Sequence, residues 1–75
     1  MARLADLVDD IVGPYVEWRL EAAAVAHAYR RWCEAPPGEE RRWFSAYVAA
    51  LDREHAAAAG FERAVGNTTV VAGGP

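Results

Sequence analysis

The sequence predicts an all-α protein: an antiparallel hairpin of two long helices, with a short N-terminal helix packed at its open end and the bundle completed by oligomerisation. Three observations lead there. Tyr15, Trp18, Ala22, Val25, Tyr29 and Trp32 follow one another at intervals of 3, 4, 3, 4 and 3 residues, the a/d seam of a coiled coil drawn in large aromatic side chains. A second run, Phe44, Tyr47, Val48, Leu51, Ala58, Phe61 and Val65, also has helical spacing. Between the runs stands Pro36-Pro37-Gly38, which stops one helix sharply and leaves too little chain for anything but a reversal.

The first expected element covers residues 2–12. Leu4, Leu7, Val8 and Ile11 place an apolar stripe on about three turns, too short to be stable unless docked. Gly13-Pro14 is read as its end, with Pro14 opening the next helix, because proline suits the first helical position. That second helix runs to about Ala35, and Arg30 and Arg31 near its C-terminus favour the helix dipole. Glu39 and Glu40 place negative charge at the start of the third helix, expected over residues 39–65, with Gly66 as its cap.

Counting outward from Pro37 pairs Trp32 with Trp43 and Phe44, Tyr29 with Tyr47 or Phe44, and Trp18 with the region of His55. Phe61 and Val65 extend past the second helix, and the N-terminal helix, through Leu7, Val8 and Ile11, is their expected cover. Residues 1–66 thus form one helical domain. Residues 67–75, uncharged and β-branched in part, are expected to be an extended tail, flexible or docked.

Composition narrows the function. The chain has 75 residues, a net charge of −3, no lysine, and arginines interleaved with glutamates, which disfavours a phosphate-tracking nucleic-acid surface. No apolar run is long enough for a membrane span, and the acidic start does not suit a signal peptide, so a cytoplasmic location is expected. Richness in Ala, Arg and Glu without lysine suits a high-GC bacterial genome. A domain this small, with Cys33 as its one cysteine and hence no disulfide, must rely on regular helix packing or on burial against another chain.

The leading functional expectation is a non-catalytic protein-protein interaction module, self-associating or docking on a partner, with no cofactor. Val16, Leu20 and His27 point away from the seam at 100° per residue, and with Trp43 and Phe61 they are the candidate partner-binding residues. A second expectation is a carrier whose tail, Thr68, Thr69, Val70 and Val71, is the substrate or docking peptide of a partner enzyme, an organisation found in ribosomal peptide precursors. A third is a metal-binding dimer. Asp52 and His55 are neighbours on one helix and the pairing brings Glu17 and Glu21 near, but the chain holds one such motif, so a complete site needs two copies. Cys33 lacks a nearby base and is read as a buried small hydrophobe, and the pairs Arg30-Arg31 and Arg41-Arg42 as a salt-bridged cap with Glu34, Glu39 and Glu40.

Overall fold

A computed structural model describes the backbone of residues 4–73 and the side chains of residues 8–67. Its two helices are α1, Leu4–Cys33, and α2, Glu40–Gly73, packed antiparallel against one another, and there is no strand among the described residues. The expected hairpin is present, and its reversal lies where the double proline puts it.

The turn follows from its residues. The Glu34 amide donates to the Arg30 carbonyl at 3.0 Å and Ala35 to Trp32 at 3.3 Å, which closes α1. The Glu39 amide then donates to the Pro36 carbonyl at 3.0 Å, making a β-turn with Pro37 and Gly38 at its centre. Gly38 has φ +99°, the conformation that a type II turn requires at that place and that side-chain-bearing residues resist. Trp43 donates to the Glu39 carbonyl at 3.2 Å and starts α2, whose first turn carries Glu40.

Two expectations are overturned. There is no separate N-terminal helix: α1 passes through Gly13 and Pro14 without a break, so residues 4–12 extend the long helix instead of folding back on it. Pro14 cannot donate to the carbonyl of Asp10, but only one bond is lost, and the clash that proline imposes on its predecessor falls partly on a Cβ that Gly13 lacks. Nor does α2 stop at Gly66. It continues through Asn67 and the Thr68–Val71 stretch to Gly73, where extended structure was expected. Gly66 has no positive φ and so is not a left-handed cap. The side chains of Leu4, Leu7, Thr68, Thr69, Val70 and Val71 lie outside the described residues.

The result is a rod of 59 × 17 × 11 Å. Its radius of gyration is 17.1 Å, against about 11 Å for a compact domain of this length. The accessible surface is 5751 Å², whereas a compact monomer of this mass exposes about 4,500 Å². Only Ala28 (5%) and Ala50 (1%) are buried among the described residues, and no large side chain is fully enclosed.

The two readings of Gly66 differ in a measurable way. Within a helix, with nothing inside 4 Å of an added Cβ, Gly66→Ala should stabilise by about 0.5 kcal/mol and raise Tm by roughly 2–4 °C. A lower Tm would instead place a left-handed terminus at residue 66.

Candidate functional site

The helices touch along a seam built from both ends of the side-chain size range. On α1, Trp18, Val25 and Trp32 alternate with Glu21 and Ala28, followed by Ala35 in the turn, and all are at least half-buried. On α2 the matching residues are Trp43, Tyr47, Ala50, Glu54, Ala57, Phe61 and Ala64. Alanine at the centre lets two helix backbones approach closely, and the aromatic rings fill the wider space on either side.

At the turn end, Trp32 meets Phe44 with ring centroids 5.1 Å apart and stacks on Tyr47 at 5.7 Å, and Tyr29 reaches Tyr47 at 5.6 Å. These pairings follow the register counted from Pro37. Trp43 departs from it. Instead of meeting Trp32, it lies edge-on to His27 at 6.5 Å, with the Arg31 guanidinium 4.7 Å and the Arg42 guanidinium 5.4 Å from its ring centre. The clustered arginines therefore clothe an indole more than they pair with acids; the ion pair at this end is Arg42–Glu39 at 3.8 Å.

In the open half, Trp18 stacks on Phe61 at 5.5 Å with an interplanar angle of 14°, and Tyr15 touches both rings at 6.1 and 5.6 Å. Phe61 is thus covered by α1 itself, not by a folded-back N-terminal segment. The Trp18 indole Nε1–H donates to Glu54 Oε1 at 2.9 Å, a part-buried bond across the seam. The Arg53 Nε–H donates to Glu21 Oε2 at 3.2 Å on the adjoining face.

A pair of long helices can hide only one stripe each, and here the apolar arc is wider. Counted at 100° per residue from Ala28 on α1 and Ala50 on α2, Val8 (48% exposed), Tyr15 (45%) and Tyr29 (48%) share one broad side of the rod with Phe44 (45%), Val48 (40%), Leu51 (38%) and Val65 (37%). This is the front face. It corrects the expectation that Phe44, Val48, Leu51 and Val65 mark a buried side, and that Tyr15 and Tyr29 complete the seam. The opposite side is more polar: an open trough over Pro14, Glu17, Glu21, Arg53, Gly60 and Arg63.

The candidate partner-binding residues do not share one surface. Val16 (47% exposed) and Leu20 (66%) stand on the outer side of α1. His27 and Trp43 form their edge contact near the turn, and Phe61 is in the seam. Of the metal candidates, Glu21 is held by Arg53, while Glu17, Asp52 and His55 are exposed. Among the described residues no group of three or more His, Cys, Asp or Glu is gathered closely enough to hold a metal ion within one chain. Among them, too, no helix is long and apolar enough to cross a membrane.

Cys33 is exposed, contrary to expectation, because the last residue of α1 points toward the front and not into the seam. It is the partner of Tyr29, one turn away. A hydrogen bond to Cys33 and repulsion from its thiolate raise the Tyr29 phenol above the ordinary 10.0, with desolvation and Tyr47 adding in the same direction.

No protein-family model matches this chain, and neither a curated protein nor a solved structure resembles it at a significant level.

The front face was partly legible in the sequence. Phe44, Val48, Leu51, Ala58 and Val65 are themselves spaced 4, 3, 7 and 7, a second stripe overlapping the seam stripe of Tyr47, Ala50, Ala57, Phe61 and Ala64. Two interleaved apolar stripes on one helix call for two neighbours.

Two measurements probe these contacts. Glu54→Leu removes the acceptor of the Trp18 N–H and should cost about 1 kcal/mol in urea unfolding, while Glu54→Gln, which retains an acceptor oxygen, should cost less; equal losses would mean that the bond contributes nothing. In ultraviolet titration the Tyr29 phenol should ionise above the ordinary 10.0, and Cys33→Ala should lower it. Because the neutral phenol is the form favoured by the fold, any stability it lends is present below pH 10.0 and is lost as pH rises through the elevated value.

Proposed function

We propose that this chain is a non-catalytic helical interaction module, which works by laying its front face against another protein surface, a copy of itself or a different partner. The supporting observation is the exposed apolar side on a chain with so little buried. Tyr29, Phe44, Val48 and Leu51 lie together on it, each more than a third exposed. Contiguous exposed apolar surface of this kind marks association sites in stable proteins.

The reading places the working surface on the front face and not on the outer residues Val16 and Leu20. Leu51→Glu and Leu20→Glu separate the two. Both should keep the helical circular dichroism signal of a hairpin. Only Leu51→Glu should lower the mass measured by light scattering, either for the pure protein or for complexes in extract from its native host. The unsubstituted chain running at 8.2 kDa in both settings would remove the reading.

A further inference from the structure

A helix breaker inside α1 lies opposite one inside α2. Pro14 has no amide to donate to the Asp10 carbonyl, and its ring crowds that carbonyl, so α1 is held there by one bond fewer. Gly60 lies inside α2, where glycine leaves the backbone freer than any residue with a side chain. A Cβ added at residue 60 would meet the Arg63 guanidinium at 3.7 Å, an ordinary contact, so packing does not demand the glycine. Pro14 and Gly60 are both half-buried and line the same trough. The register agrees, because their chain neighbours Tyr15 and Phe61 touch, with ring centroids 5.6 Å apart.

This level divides the rod. On its turn side the helices are locked together by rings and by the Trp18–Glu54 and Arg53–Glu21 contacts. Phe61 belongs to that side. A helical side chain leans toward the N-terminus of its own helix, which for α2 is the turn, and the Phe61 ring stacks on Trp18. On the other side lie residues 4–13 of α1 and 62–73 of α2, about 15 Å of rod at 1.5 Å of rise per residue. The half-buried side chains there are as modest as Ile11 and Ala64.

We infer that Pro14 and Gly60 form a joint, and that the open end of the hairpin parts there as one unit while the turn side stays closed. Each arm of that end depends on the other. Beyond the gap in its hydrogen-bond ladder, residues 4–13 of α1 must nucleate afresh, and isolated helices so short are marginal in water. The α2 arm includes Gly66-Asn67-Thr68-Thr69-Val70-Val71, all poor helix formers, yet it is helical to Gly73. Neither arm is helical by propensity alone, so losing one loses both. The joint also divides the front face: Tyr29, Phe44, Val48 and Leu51 stay fixed, and Val8 and Val65 move. It operates whatever that face binds.

Native-state hydrogen exchange of the full chain, read amide by amide by nuclear magnetic resonance, tests the joint. Amides of residues 8–13 and 66–70 should exchange through one opening, with opening constants within about threefold of each other. That opening should be at least about tenfold more frequent than the one exposing residues 22–28 and 47–54. Pro14→Ala supplies the missing amide and should slow both sets by the same factor, about tenfold or more, although the substitution is in α1 alone. Gly60→Ala, the reciprocal change in α2, should slow both sets about threefold to fivefold. Protection that rises residue by residue from each terminus, or a Pro14→Ala effect confined to α1, means that two ends fray separately and overturns the joint. So does protection of residues 8–13 equal to that of residues 22–28. All of these outcomes leave the proposed function standing, since that reading depends on mass in solution and not on exchange.

Discussion

The structure depends on how little two helices can cover. Each presents one stripe to the other, and the close approach that makes the seam possible happens where the side chains are smallest. Among the described residues, Ala28 and Ala50 are the two shut away from solvent, at 5% and 1% exposure. Around them the aromatic residues act as spacers and fillers. Trp32 lies between Phe44 and Tyr47 toward the turn, and Trp18 stacks on Phe61 toward the open end. Everything that does not fit into this narrow contact is left outside it, including side chains as large as Tyr29 and Leu51.

That constraint explains the polar features too. A seam with few wholly buried atoms imposes little desolvation, so charged residues can join it at its margins. Glu54 accepts the Trp18 indole N–H, and Glu21 accepts from Arg53, both with water close by. Such contacts set register and rotation more than they add stability. Trp43 shows the same logic at the end of the rod. The guanidinium groups of both Arg31 and Arg42 lie over the ring, flat groups that tolerate both an aromatic face and solvent.

Much of the fold is legible in the sequence. The two helical runs, the reversal at Pro36-Pro37-Gly38 and the pairing of Tyr29 with Tyr47 and of Trp32 with Phe44 all follow from spacing and from counting away from the turn. The errors have one character. Gly13-Pro14 and Gly66 read as boundaries because glycine and proline usually are, yet α1 and α2 pass through them. A breaker costs a fixed amount of local free energy, and a long helix continues if the turns on both sides hold. The candidate site was less legible. Spacing alone turns Val16 and Leu20 away from the seam, where they are exposed, but it also places Val48, Leu51 and Tyr29 in a core too small to contain them.

The sequence by itself determined the elements and their order: helix propensity, apolar period and turn chemistry are local, and each acts within a few residues. What the tertiary structure decided is rotation. Trp18, Val25 and Trp32 are in the seam either way, but the residues between them are Glu21 and Ala28, and Tyr15 and Tyr29 turn toward the front. Spacing cannot distinguish two stripes a fraction of a turn apart on the same helix. Volume can, once the second helix is in place, because a methyl group fits between two backbones in contact and a phenol ring does not.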